Sequence, residues 1–198
     1  MEIKVVIPTY KRPGKVTTLK VVSNAILCVA RSEVPAYRVH YPDVEIAEHP
    51  DDIVGLAPKR QWIYDTFGDI FMLDDDITMA DRMYLVSGKL RLRRLTPQET
   101  YQIIQWAGNT AALCGCYLFG FNKNPNPIIY NALRPILLSG YVTGCAIGLL
   151  RGSRIHYDPL STAVEDFYVA GLNAYYHRRA FIDMRFNFVQ EATFKKAG

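Results

Sequence analysis

Gly68-Asp69-Ile70-Phe71-Met72-Leu73-Asp74-Asp75-Asp76 sets four apolar residues between a glycine turn and three consecutive carboxylates. Ile70 to Leu73 is too short for a helix and is bounded by turn chemistry, so it predicts a buried strand that delivers the acids at its carboxyl end. Adjacent carboxylates repel one another, and placing them after an apolar strand costs stability unless positive charge sits there. In an extended strand, residues two apart face the same side about 6.5 Å apart, from a rise of ~3.3 Å per residue. Asp74 and Asp76 then converge on one site while Asp75 points away. Oxygen-only ligation by so few protein groups suits Mg2+ or Mn2+ completed by water and phosphate oxygens, and argues against zinc. A solvated acidic turn is the plainer alternative.

Upstream, Ile3 to Ile7 is rich in β-branched residues and predicts a buried parallel strand that opens into the loop Pro8-Thr9-Tyr10-Lys11-Arg12-Pro13-Gly14. Leu19, Val22, Ile26 and Val29 recur at helical spacing and predict a helix over Val16 to Ala30. Short strands are expected at Tyr37 to Tyr41 and at Val44 to Ala47. Gly55-Leu56-Ala57-Pro58 opens a helix with proline in its first turn, and Gly68 closes it. Lys59 and Arg60 beside the exposed amides of that helix start make a ready anion site, or are simply surface charge.

Downstream, Thr96-Pro97-Gln98-Glu99 is a capping box that predicts a helix to about Leu113. Leu118 to Phe121 reads as a strand, Asn122 to Pro127 as a loop, and Tyr141 to Leu150 as a strand whose glycines mark a bulge or a close approach of backbone to ligand. Thr162-Ala163-Val164-Glu165 is a second capping box, opening a helix with Val164, Phe167, Tyr168, Leu172 and Tyr175 on one face. Arg179 to Phe188 reads as a last strand before a basic tail. In that second box Glu165 can bond back to the Thr162 amide. Asp166 has no such duty, and is either a general base toward a hydroxyl or a first-turn acid favoured by the helix dipole. Alternating strands and helices predict an α/β fold, a mostly parallel mixed sheet with helices on both faces, in a single domain over residues 1–198.

The chain has 198 residues, of which 49% are hydrophobic and 21% charged. That suffices for one core without covalent staples and excludes disordered, collagenous and coiled-coil classes. Net charge is only +4. Its distribution says more, because Arg82, Lys89, Arg91, Arg93 and Arg94 fall in one acid-free run that fits either an anionic partner or a solvated face. The four cysteines form no CxxC pair and the four histidines are scattered, so the thiols read as core or near-surface groups. No apolar run approaches the ~18 to 20 residues of a membrane span, and the opening Glu2 and Lys4 do not fit a secretory signal. A cytoplasmic location with no membrane partner is expected. A P-loop and a GxGxxG fingerprint are both missing.

Taken in order, Val5-Val6-Ile7-Pro8-Thr9-Tyr10-Lys11-Arg12-Pro13, Gly55-Leu56-Ala57-Pro58-Lys59-Arg60-Gln61, Gly68 to Asp76 and Glu165-Asp166 resemble the GT-A glycosyltransferases, most of all their large inverting family two. The resemblance is carried best by residues 1–78. It implies a nucleotide-sugar-binding half over 1–78 and an acceptor-binding and catalytic half over 79–198. It implies that Pro8, Thr9, Tyr10 and Arg12 face the nucleotide base and ribose, with Lys59 and Arg60 near the diphosphate and Asp74 and Asp75 at the donor. Asp74 and Asp76 become the DXD pair for Mn2+ or Mg2+, the donor a UDP-sugar, and Asp166, with Glu165 beside it, the catalytic base. The pattern departs from the family at Gln61, where asparagine is frequent, and in lacking a clear late metal-ligating histidine, since His177 follows in a helix tail.

The small basic chain is further similar to the TET-associated glycosyltransferases of bacteriophages. That likeness implies double-stranded DNA carrying 5-hydroxymethylpyrimidines as acceptor and the host cytoplasm as location. Arg82, Lys89, Arg91, Arg93 and Arg94 then meet phosphates, and Tyr84, Tyr101, Trp106 or Tyr130 could receive a base drawn out of the stack. The rival readings are a glycan or protein acceptor, a two-metal nuclease, for which the Pro8-Thr9 loop has no obvious role, and a non-catalytic nucleic-acid-binding module, which leaves the acidic triplet unexplained.

Overall fold

The computed structural model describes residues 1–123, 130–161 and 164–190. Its frame is one sheet built from β1 (Lys4–Pro8), β2 (Ala25–Ala30), β3 (Ile46–His49), β4 (Ile70–Leu73), β5 (Ile77–Val86), β6 (Lys89–Arg94), β7 (Leu118–Asn122), β8 (Ile136–Leu137), β9 (Ala146–Leu149) and β10 (Ala180–Gln190). The strand order is β3-β2-β1-β4-β9-β7-β10-β5-β6, with β8 attached to β10. Strands β3, β2, β1 and β4 run parallel. β9 enters antiparallel between β4 and β7, β10 lies parallel to β7, and β5 and β6 finish the sheet as an antiparallel hairpin.

Side chains alternate across this sheet into two cores, as strands buried on both faces require. Val5, Ile7, Leu27 and Phe71 join Tyr37 of helix α1 (Val34–His40) and Ile104, Ala107 and Ala111 of α3 (Pro97–Leu113) on one face. Val6, Ile26, Cys28 and Met72 join Ala57 and Ile63 of α2 (Leu56–Phe67) and Val169 of α4 (Glu165–Tyr176) on the other. The Thr96 capping box forms with both of its arms. All four cysteines are free thiols, and burial pushes that of Cys28 up to about 12. No helix among the described residues is long and apolar enough to cross a membrane.

Several expectations fail for physical reasons. Instead of a helix over Val16 to Ala30 there is a 3-10 turn, Thr17–Lys20, followed by β2. Leu27 and Val29 face one core while Ile26 and Cys28 face the other, so the same apolar run serves period two rather than 3.6. The strand expected at Tyr37 to Tyr41 is the body of α1, opened by a proline in its first turn. The third strand lies slightly later, at β3, and the strand expected from Tyr141 contracts to β9, leaving 141–145 as a loop. α4 starts at Glu165 after Val164, whose φ is 58°. Thr162 of the second capping box, residues 124–127 of the Asn/Pro loop and the basic tail lie outside the described residues.

Candidate active site

A cleft of about 620 Å3 opens where β1 and β4 end, the usual ligand position in a parallel sheet. Its walls include Pro8, Thr9, Tyr10, Arg12, Lys59 and all three acids. Because β4 stops at Leu73, the acids do not continue an extended strand. Asp75 and Asp76 form a turn into β5, and Asp75 faces the cleft rather than pointing away. Only 9% exposed, Asp75 accepts hydrogen bonds from Thr9 Oγ1 and Arg12 Nη1, each at 2.6 Å.

The 3-10 turn explains why this acidic turn holds its shape. Thr18 Oγ1 donates to the Asp74 carbonyl at 2.5 Å and accepts the Ile77 N–H at 3.0 Å, and the Thr17 N–H reaches the Asp75 carbonyl at 3.0 Å. On the cleft's other side Lys59 is buried. Its ammonium donates to the Thr9 carbonyl at 2.6 Å and stands 5.6 Å from the Tyr10 ring, and burial lowers its pKa. Lys59 thus fixes the loop after β1 while adding positive potential to the cleft.

Arg60 does not line the cleft but lies beneath it, 1% exposed. It donates to Asp74 Oδ1 at 2.7 Å, to Glu165 Oε1 at 2.7 Å and to the Gly144 carbonyl at 2.9 Å. Burial alone would pull the guanidinium toward neutrality, but the opposing charges, Asp74 foremost, raise its pKa. Burial pushes the Asp74 carboxyl up, with Arg60 opposing and the neighbouring acids adding. Glu165 therefore answers a buried arginine.

Asp166, one residue on, accepts from the Tyr141 hydroxyl and from the Gly144 N–H (3.1 Å) through Oδ2, and from the Phe167 N–H (2.9 Å) through Oδ1. These donors fix its orientation. Burial first, and then the Asp166 carboxylate, raises the Tyr141 pKa, so that phenol stays protonated. Gly144 sits between the two groups so closely that a Cβ there would lie 3.0 Å from both Arg60 Nη1 and Asp166 Cβ. The glycine signal in the sequence marks this contact. Gln190, which donates to Asp74 Oδ2 at 3.2 Å, the Tyr141 hydroxyl and the buried Tyr157 beside Arg60 carry no such signal.

Among the described residues, no three His, Cys, Asp or Glu side chains group into a metal cage. One observation nevertheless fits a cation: Asp76 Oδ1 is buried with no hydrogen-bond partner. A hard cation that keeps waters and phosphate oxygens needs only one or two carboxylates, so Asp76, with Asp74 next to it, is a suitable donor set. His177 is not part of it, because its ring bonds Ser153 and the Arg154 N–H and packs 4.4 Å from Tyr117. Gln61 accepts the Tyr157 N–H at 2.7 Å and so anchors the loop below the cleft.

The five cations of the basic run lie on the β5–β6 hairpin. Cross-strand pairs Arg82/Arg93, Tyr84/Arg91 and Val86/Lys89 put Arg82, Lys89, Arg91 and Arg93 on one face with Tyr84 among them. Arg93 is paired with Glu99 at 2.9 Å, and Arg94, on the other face, with Asp81 at 2.7 Å. Among the described residues no carboxylate pairs with Arg82, Lys89 or Arg91.

Residues 3–198 match the family described as TET-Associated Glycosyltransferase. No curated protein matches the sequence. Among solved structures, the chain is similar to that of S. aureus TarS 1-349, with 9% identity and a TM-score of 0.54, over 94% of this chain and 60% of that one. The likeness is one of fold and agrees with the α/β GT-A architecture expected from the sequence. A mannose-1-phosphate geranyltransferase from Thermus thermophilus aligns with 10% identity over 96% of this chain and 76% of that one, at a TM-score of 0.39 that supports no argument.

Proposed function

Because this chain belongs to the TET-associated glycosyltransferase family, we propose that it moves a sugar from a nucleotide-sugar to the hydroxyl of a 5-hydroxymethylpyrimidine in DNA. The observation that carries this reading is Arg60, which ties Asp74 of the cleft to Glu165 beside Asp166 at 2.7 Å each. A donor-side acid and a base-side acid are thereby held in one rigid unit, the arrangement group transfer needs.

The nucleoside diphosphate occupies the cleft, with Pro8, Thr9, Tyr10 and Arg12 at its nucleoside end and Asp75 holding Thr9 and Arg12 in place. Asp76 and Asp74 would hold Mn2+ or Mg2+, which would supply positive charge where the diphosphate departs. Lys59 adds fixed positive potential from behind, and Arg60, neutralised by Asp74 and Glu165, holds those two acids in place. Asp166 takes the proton of the acceptor hydroxymethyl group as that oxygen bonds the anomeric carbon. The bond from that carbon to the diphosphate breaks in line, so the sugar inverts and the nucleoside diphosphate leaves. Arg82, Lys89 and Arg91, without a carboxylate partner among the described residues, give the sequence-independent, salt-sensitive affinity that a DNA acceptor calls for.

The test is release of nucleoside diphosphate from a panel of nucleotide-sugars in Mn2+, with duplex DNA containing 5-hydroxymethylcytosine, 5-hydroxymethyluracil or neither. Release is expected only with hydroxymethylated DNA and is abolished by chelation. Stimulation by glycans or proteins instead would refute the DNA acceptor, and no release from any donor would refute the transfer itself, favouring a nucleic-acid-binding module.

A further inference from the structure

Three of the four aromatic groups singled out in the sequence as receivers of a base lie on other elements than Asp166. Tyr84 is on the hairpin, and Tyr101 and Trp106 are on α3, against the opposite core, with Trp106 packed 5.9 Å from Phe181. The aromatic surface at Asp166 is instead made by Tyr141 and Phe167. Phe167 follows Asp166 in the first turn of α4, and its ring stacks on that of Tyr141 at 4.8 Å and 26°. Although Tyr141 covers one side of it, Phe167 stays 62% exposed. The Tyr141 hydroxyl bonds Asp166, and the Lys123 ammonium stands 5.2 Å from the Tyr141 ring centroid.

A large aromatic ring left in water, ordered by a second ring and joined through it to a carboxylate, is not a packing device. Every nucleobase offers a flat π-face, and such a face stacks on exposed aromatic side chains in most single-stranded nucleic-acid sites. An enzyme that works on a group attached to a base draws that base out of the duplex and holds it between rings. We infer that the open face of Phe167 is the platform on which the extruded acceptor pyrimidine stacks, with Tyr141 backing it. This rests on the reading of the acceptor as a modified base in DNA. It adds which residue receives the base and why the hydroxymethyl group arrives beside Asp166.

The experiment compares Phe167→Leu and Phe167→Trp with the unaltered enzyme on duplex DNA containing 5-hydroxymethylcytosine, measuring KM for DNA, KM for the nucleotide-sugar, kcat and Tm. Losing the π-face should raise KM for DNA about tenfold or more. The Trp variant should keep it near the original value, with donor KM and Tm unmoved in both. A Leu variant with unaltered KM for DNA, or one whose donor KM rises instead, would overturn the platform while transfer by the unaltered enzyme still supports the DNA acceptor. If the unaltered enzyme does not modify DNA at all, acceptor and platform fall together.

Discussion

Two groups of charges follow one another along β4 and β5, and they are treated oppositely. Around the acidic turn nearly every charge has a protein partner: Asp75 holds Arg12, and Asp74 holds Arg60, which holds Glu165. A few residues further on, Arg82, Lys89 and Arg91 stand on an exposed hairpin face without a carboxylate among the described residues. The first arrangement is preorganised, so a small charged ligand meets groups that need not rearrange. The second is left open: Glu99 answers Arg93, but Arg82 directly opposite it has no carboxylate of its own among the described residues. Apart from the buried Asp76 Oδ1, the acids of the cleft are thus answered by the chain itself, whereas Arg82, Lys89 and Arg91 face outward without a carboxylate among the described residues.

The sharpest way to break this contrast is at the base. Asp166→Asn should lower transfer by about 10^2 to 10^4-fold while donor and DNA still bind, measured by kcat against both affinities. Arg60→Met should leave Asp74 and Glu165 facing each other uncompensated, destabilising the fold by about 3 kcal/mol in denaturant titration, whereas no hairpin cation should carry a comparable cost. Gly144→Ala should press a methyl between Arg60 and Asp166. Since small misplacements near the chemistry cost rate, it should reduce kcat by about tenfold at nearly unchanged donor KM.

On the open side, replacing Arg82, Lys89 and Arg91 together by alanine should shallow the slope of log affinity for DNA against log salt by about 3, with stability changed by no more than about 0.5 kcal/mol. The smallest effect concerns His49 at the cleft wall. Its Nδ1 donates to the Pro50 carbonyl, its buried Nε2 has no partner, and burial lowers its pKa below the ordinary 6.5. The unfolded chain therefore binds a proton that the folded one resists, so stability should fall as pH drops below about 6.5. His49→Asn should flatten that part of the profile.

How much of this is legible in the sequence depends on the range of the forces involved. β1, β4, α2 and α3 follow from local signals: the run Ile70 to Leu73, the proline and glycine around α2, and the Thr96 box, each complete within a few residues. The acids, Lys59, Arg60 and Asp166 are visible as chemistry, but their partners are not. Arg60 meets Glu165 across 105 positions, and Gln190 meets Asp74 across 116. The segment from Val16 to Ala30 misleads because Leu19, Val22, Ile26 and Val29 satisfy a helical period, and only burial on both faces of a sheet selects the strand. Alternation puts Asp75 on the wrong side for a related reason, since the extended strand ceases at Leu73, where the Thr18 hydroxyl turns the chain.

The most direct test is to incubate the protein with Mn2+, a nucleotide-sugar panel and duplex DNA containing 5-hydroxymethylcytosine, then digest the DNA and weigh its nucleosides. A nucleoside heavier by one sugar residue is expected, appearing with one donor and lost in Asp166→Asn. Unmodified 5-hydroxymethylcytosine alongside sugar transfer to another acceptor would contradict the assignment of DNA as the substrate.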